Sequence, residues 1–498
     1  MSAGEPAEGG RGSRATAPVG LGIDVGTTSV KVVALSAEGR VVATASSHHG
    51  IQETADGVQA DPEAWWASLL RALRGLDADL ATVGSVGLSG NMSSVVLVAD
   101  DLSVVRPAIL LADSRGQEQI DALDDDTVAT IVEHTGNTPE TVFSLATLLW
   151  LQAEEPASLA AAAAWLSAKD YLRARLTGRL ATDVTDAYNS LLLHDGTWSV
   201  PLVRSLGLDP GLFPPVLASD ERAGSVTAEA AAATGLQPGT PVATGAGDLA
   251  AAVAGAGGLR PGSLAVSLGT SATVLAAVDS ARLPPAALGS LTVHPTATGG
   301  RFALGSLLTG GLALNWVRGL AGAGAIASVT PDPQDGPGVT FLPYLSGTGS
   351  PDFVGEARGT LLGLAPSTGG SQITAALLEA VAFDIAELVD LLGADRYDAV
   401  QVSGGGSNLA AWPQVLADVL DLPVATLDAP DLSAIGAAVL AWAVVGHSCR
   451  AVTPGAVVRP RGRFSETWRR RRAQHALLRR AVLDIYTTPP AWERTAPA

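Results

Sequence analysis

Residues 241–274 read PVATGAGDLAAAVAGAGGLRPGSLAVSLGTSATV and lie near the middle of a chain of 498 residues. The apolar run 241–243 reads as the end of a strand. Thr244-Gly245-Ala246-Gly247-Asp248 follows, then an alanine-rich run that predicts a helix to about Ala254. Glycines at 245 and 247 let the backbone come close to a ligand. Asp248 stands at the mouth of the predicted helix. There it can be an N-cap, a place where Asp is favoured for its hydrogen bond alone, or a carboxylate presented to a substrate. Residues 255–262 are rich in glycine, contain Pro261 and suit a hinge. Residues 263–268 then read as a buried strand, and Gly269-Thr270-Ser271 as a tight polar turn into another apolar run.

That turn has an echo near the start of the chain. Leu21-Gly22-Ile23-Asp24-Val25-Gly26-Thr27-Thr28-Ser29-Val30 has the grammar of Leu264-Ala265-Val266-Ser267-Leu268-Gly269-Thr270-Ser271-Ala272-Thr273-Val274. Each is a strand, a Gly-Thr-Thr/Ser turn and a second strand. An internal repeat of this kind predicts two similar halves. Such tips offer backbone N–H groups and hydroxyls to an anion, and two of them facing each other would clamp a polyphosphate.

With these motifs the chain resembles the FGGY carbohydrate kinases, within the larger actin-like ATPase architecture, from about Val19 to His447. Within the family it looks most like the xylulokinases. Arg106-Pro107-Ala108-Ile109-Leu110-Leu111-Ala112-Asp113-Ser114-Arg115, Lys169-Asp170-Tyr171-Leu172 with Leu176-Thr177-Gly178, and Phe341-Leu342-Pro343-Tyr344-Leu345-Ser346-Gly347 carry the resemblance. Three departures stand out. Ser93 replaces the usual His after Met92, Leu111 replaces a Trp, and Thr348-Gly349 replaces a Glu-Arg pair.

The resemblance implies roles for particular residues. Asp24 would approach the Mg²⁺ that bridges the nucleotide phosphates, and Mg²⁺, which keeps much of its water, needs few protein oxygens. Thr27 and Thr28 on the first tip, with Gly269 and Thr270 on the second, would face the phosphates of ATP. Gly311 and Asn315 would lie near the nucleotide, as would Gly405 and Gly406 in the run Gly404-Gly405-Gly406. Met92, Ser93 and Asp113 would shape the sugar pocket; a structural pairing of Asp113 with Arg115 is the alternative. Asp248 would contact the sugar and act as general base toward its hydroxyl. Gly436, among the small residues 433–438, would permit close helix packing.

Composition narrows the partners. A net charge of −18 argues against nucleic acid and anionic membranes. One cysteine, Cys449, excludes an intramolecular disulfide and favours a reducing cytoplasm. The best apolar run, 434–445, is too short to span a bilayer and fits a buried helix. The arginines at 469–472 read as a solvated helix face, and so do the Asp and Glu residues of the long helix predicted over 371–392.

The expected fold is α/β: two actin-like, ribonuclease H-like ATPase domains with a cleft between them. Residues 1–18 would be a disordered tail, 19–257 the sugar-binding and phosphate domain, 258–448 the nucleotide-binding domain and 449–498 a helical tail. The expected activity is ATP-dependent conversion of D-xylulose to D-xylulose 5-phosphate. The alternatives are a kinase for gluconate, another pentulose or a polyol, and a non-catalytic sugar-responsive binding protein. The family's habit of dimerising makes a homodimer an expectation.

Overall fold

Two hairpins with polar tips begin the two halves, and each half repeats the same sheet. The computed structural model describes residues 17–488 apart from 55–56, 280–282, 323, 325, 327–328, 330–337, 430 and 453–454. The expected tail 1–18 therefore falls almost wholly outside the described residues, as do residues 489–498. In the first half Val19–Val25 pairs antiparallel with Ser29–Ser36, which pairs antiparallel with Val41–His48. On its other side Val19–Val25 runs parallel to Val83–Gly90, and that strand runs parallel to Pro241–Ala243. In the second half Ser263–Leu268 pairs antiparallel with Ala272–Val278, and this with Arg301–Leu307. On its other side come Ala399–Ser403 and then Val424–Thr426, both parallel. The order and directions are the same in both, so the repeat read at the tips extends through five strands of each sheet.

Val19–Val25 is covered on both faces, whereas Ser263–Leu268 buries the face of Leu264, Val266 and Leu268 and leaves Ser267 on the other exposed. Leu21, Ile23 and Val25 are fully buried, as are Leu264 and Leu268. Between Val83–Gly90 and Arg222–Ser225 the first half carries a largely helical insertion with its own core around Phe143, Leu148, Trp165 and Phe213.

The halves are stitched together by two helices. Asp248–Gly255 ends the first half, and Leu432–Ala443 comes late in the second. The late helix lies on the first sheet, next to strands Val19–Val25 and Val83–Gly90. A Cβ at Gly22 would stand 2.0 Å from the Ala434 carbonyl oxygen, and one at Gly87 1.9 Å from that of Ala437. One at Gly436 would stand 1.7 Å from the Ala251 oxygen of the first helix. These glycines are what brings helix onto sheet and helix onto helix, so the close packing expected of residues 433–438 is present. Trp442 Nε1 donates to the Leu35 carbonyl (3.1 Å), and Lys31 pairs with Asp431 (2.5 Å) across the same contact.

Two surface assignments are corrected. The long helix Gly370–Leu392 buries Leu377, Val381, Ile385 and Leu388 as predicted, but it also buries Glu379 and Asp384. The C-terminal helix Ser465–Thr487 lies against it. Arg471 pairs with Glu379, Arg472 with Asp390 (2.6 Å) and Arg479 with Glu387. The arginines read as a solvated face therefore include docking groups, and the carboxylates they meet had been read as solvated too.

Candidate active site

A cleft of about 540 Å³ opens between the halves. Thr27, Met92, Ser93 and Asp248 line it from the first half, and Thr273, His294, Ser306 and Phe353 from the second. Thr27 stands on the first hairpin tip, closed by a Gly26 N–H to Ser29 carbonyl bond of 2.9 Å. Met92 and Ser93 leave the end of Val83–Gly90, and Ser93 takes a positive φ of 60° that turns the chain along the wall.

Asp248 does not cap its helix. Gly247 is the N-cap residue and makes no side-chain capping bond; Asp248 is the first helical residue. Its Oδ1 accepts from the N–H of Leu249 at 2.7 Å. Its pKa is raised to about 7, first by burial and then by the charges of Asp24, Asp186 and Asp431, against the opposing Leu249 hydrogen bond. A carboxylate poised near neutrality can take a proton from a hydroxyl at physiological pH.

The ground beneath Asp248 is a buried ion cluster. Lys169 is wholly buried and meets Asp170 at 2.6 Å, Asp183 at 2.9 Å and Asp186 at 3.0 Å. Burial works against its ammonium, but the three carboxylates outweigh that and raise its pKa. Asp183 caps the short helix Val184–Tyr188, whose Thr185 hydroxyl accepts from the N–H of Gly247 at 2.8 Å. The Lys169-Asp170-Tyr171 motif, a plain family marker in the sequence, thus joins Asp183, Thr185 and Asp186 in the scaffold that holds the backbone just before Asp248.

Asp24 is buried and accepts from the Ser89 hydroxyl at 2.8 Å. Its pKa is raised to about 6, first by burial and then by Asp431, with Ser89 and Lys31 opposing. Asp24, Asp248 and Asp431 crowd negative charge with one lysine against it. This hard oxygen donor set, short of counter-charge, fits a hydrated divalent cation. Among the described residues no group of three or more His, Cys, Asp or Glu side chains converges as a metal site, so any such ion would rest largely on water and phosphate.

The other predicted residues form a second group. Gly311 N–H donates to the Gly269 carbonyl at 2.7 Å, and Leu312 N–H to that of Thr270 at 2.9 Å. Helix Gly311–Ala321 therefore starts on the second hairpin tip. A Cβ at Gly404 would stand 2.7 Å from the Leu268 oxygen, which brings the run Gly404-Gly405-Gly406 beside the same tip. Gly405 faces open space, whereas Gly406 backs onto Trp412 and Leu268. Thr28 and Thr270 are exposed, and Asn315 is exposed with its Oδ1 accepting from Arg318 at 2.7 Å. Thr28 stands on the first hairpin tip; the others gather at the ends of the central strands Ser263–Leu268 and Ala399–Ser403 of the second sheet, and none of them is in the wall lined by Met92 and Asp248.

Asp113 stays out of the cleft wall. Its carboxylate accepts from the Val58 N–H at 2.7 Å and from Arg115 Nε at 2.8 Å. The structural pairing with Arg115, one of its two expected roles, is present. Three lining residues had no motif to announce them. His294 Nδ1 meets Asn189 Oδ1 at 3.0 Å, and its Nε2 meets Thr292 Oγ1 at 2.8 Å. Burial lowers the His294 pKa to about 4, so the ring is neutral. Nearby, the Asn137 amide pairs twice with the Val293 backbone, at 2.7 and 2.9 Å. These contacts join the halves over more than a hundred residues of sequence.

Duplicated sheets, each led by a polar hairpin tip, and a carboxylate in the cleft define a two-domain phosphotransferase of actin-like architecture. Residues 19–255 match the N-terminal domain, and residues 264–444 the C-terminal domain, of the FGGY family of carbohydrate kinases. The chain belongs to that family and is an ATP-dependent carbohydrate kinase. It is 33% identical to a xylulose kinase of Klebsiella pneumoniae, over 85% of this chain and 90% of that protein. It is 32% identical to that of Escherichia coli K12, over 80% of this chain and 84% of that protein. A xylulose kinase structure from Rhodospirillum rubrum superposes with a TM-score of 0.82 at 28% identity, covering 94% of this chain and 99% of the other.

Proposed function

We propose that this chain transfers the terminal phosphoryl group of ATP to a hydroxyl of D-xylulose, giving D-xylulose 5-phosphate, with Asp248 as the general base. The observation that carries the reading is Asp248 itself: a carboxylate in the cleft wall, free of any capping duty, with its pKa raised to about 7. The relatives named xylulose kinase support the choice of sugar. Met92 and Ser93 would meet the sugar. Thr27, Thr28, Gly269 and Thr270 would flank the phosphates, and Gly311, Asn315, Gly405 and Gly406 the rest of the nucleotide. Asp24 would hold Mg²⁺, which when bound supplies positive charge against the phosphate oxygens. Phosphoryl transfer depends mainly on positioning and charge neutralisation, and a cleft shut between two halves excludes water as a rival acceptor.

A second reading is a kinase for gluconate, another pentulose or a polyol. It is favoured by Ser93, a short side chain in the cleft wall at the position where His is expected. ADP release across D-xylulose, D-ribulose, D-gluconate and simple polyols separates the two. D-xylulose should give the highest kcat/KM, by at least about tenfold, the discrimination that a single well-placed contact supplies. Another acceptor in first place would overturn the choice of sugar, and turnover of none would overturn the kinase reading.

A further inference from the structure

The C-terminal helix Ser465–Thr487 lies beyond the family match, which ends at residue 444. Its last buried cation, Arg479, meets the loop that carries Asp352. Arg479 is 7% exposed, and its guanidinium pairs with Asp352 on one side and Glu387 of the long helix on the other. Asp384 and Tyr344 face it as well, and His475 stands one turn before it with Nε2 3.9 Å from Asp384. The planar guanidinium gives one nitrogen to each of two carboxylates, and this fixed fork sets the position of Asp352 relative to the long helix.

Asp352 belongs to the loop 347–354, and that loop supplies the cleft wall. Ser350 and Phe353, on either side of Asp352, both line the cleft. The loop is tied at its base to strand Arg301–Leu307, by Ser350 N–H to the Ser306 carbonyl (2.7 Å) and by Ser306 N–H to Ser350 Oγ (3.2 Å). Ser290 Oγ donates to the Pro351 carbonyl at 3.2 Å. Phe353 has a positive φ of 51°, a conformation that costs a non-glycine residue energy and persists only where its surroundings hold it. The residue is 51% exposed, and within the loop its N–H donates to the Gly349 carbonyl (2.9 Å) and the Val354 N–H to Thr348 Oγ1 (2.7 Å). The charged anchor is Arg479.

We infer that Arg479 is a positioning residue for the sugar side of the cleft: through Asp352 it holds Ser350 and Phe353 in the wall that the acceptor meets. The C-terminal helix is then part of the acceptor site without touching the acceptor. Arg471 and Arg472 dock the same helix further up, so the loss of Arg479 should loosen the loop without releasing the helix. This inference rests on the cleft being the acceptor site.

The test is Arg479→Met in the full chain, which keeps the stem of the side chain and removes the charge. The acceptor is the best sugar of the panel above. The sugar KM should rise about tenfold or more while the KM for ATP stays within about twofold, and Arg479→Lys should recover part of the loss. Asp352→Ala should give the same split, and the double variant should be no worse than Arg479→Met alone, as expected of two groups acting as one pair. A folded Arg479→Met enzyme with an unchanged sugar KM would overturn the inference, and so would equal rises for sugar and ATP. If Arg479→Met does not fold, Asp352→Ala decides by the same readouts, because Asp352 lies on a partly exposed loop. Failure of the underlying reading looks different: the parent enzyme would itself phosphorylate no sugar of the panel.

Discussion

Asp248 shows at the scale of one residue how function opposes stability. Its carboxylate is raised from the usual 3.8 to about 7 because the fold desolvates it and sets Asp24, Asp186 and Asp431 against it. An acid whose folded pKa lies above its unfolded one holds its proton more tightly in the native state. Its contribution to stability is complete below about pH 4 and is lost as the pH rises through about 7. Asp248→Asn removes that dependence while keeping the shape. The melting temperature of the variant should therefore match the parent at and below about pH 4, draw ahead of it as the pH rises, and exceed it at pH 8. The gain should be a few degrees, roughly what 1 kcal/mol does in domains of this size. Thermal melts across that range check the sign, and a variant less stable than the parent at pH 8 would contradict it.

At the scale of elements, the short helix Val184–Tyr188 and the helix Ala168–Thr177 are welded by the Lys169 cluster into one support for the turn before Asp248. A buried ion set of this kind is weak as a source of net stability but severe when broken, since removing one partner strands the others. Lys169→Met leaves Asp170, Asp183 and Asp186 facing each other with Arg173 alone as counter-charge on Asp170. It should destabilise the chain by about 3–5 kcal/mol, seen as a lower denaturation midpoint with a falling baseline of kinase activity. A loss under about 1 kcal/mol would show that the cluster is not the support described. The sequence marked this segment as conspicuous without showing what it supports. Its members span residues 169–186, and the backbone it holds, Gly247, lies some sixty positions further on.

The whole molecule was legible to the extent that its information is local. Gly-Thr-Thr and Gly-Thr-Ser between apolar strands announced the duplication, because a hairpin and its tip are written in consecutive residues. Gly436 and its alanines announced a tight helix contact, although not that the first sheet would be its floor. Pairings across long separations stayed hidden. Asn189 with His294, Arg471 with Glu379 and Arg479 with Asp352 each join residues about ninety or more apart in sequence. A polar residue on a predicted helix looks solvated until the helix that covers it is in place, and this is why the carboxylates of Gly370–Leu392 and the arginines of Ser465–Thr487 were misread. Asp113 shows the converse, a motif residue whose short-range partner Arg115 was legible while its partner Val58, 55 positions away, was not.

All of this converges on one claim, that the two halves bring an acceptor hydroxyl to the Asp248 carboxylate. Asp248→Asn tests it directly, because Asn is nearly isosteric and its amide oxygen can still accept from the Leu249 N–H, but it cannot take a proton. The measurement is the single-turnover rate of phosphorylation of the best sugar by the folded variant at saturating ATP, beside its ATP affinity by calorimetry. ATP affinity should be unchanged and the rate lower by roughly 10²–10⁴-fold, the range for a positioned general base. A folded Asn variant that phosphorylates the sugar within a few-fold of the parent rate would contradict it.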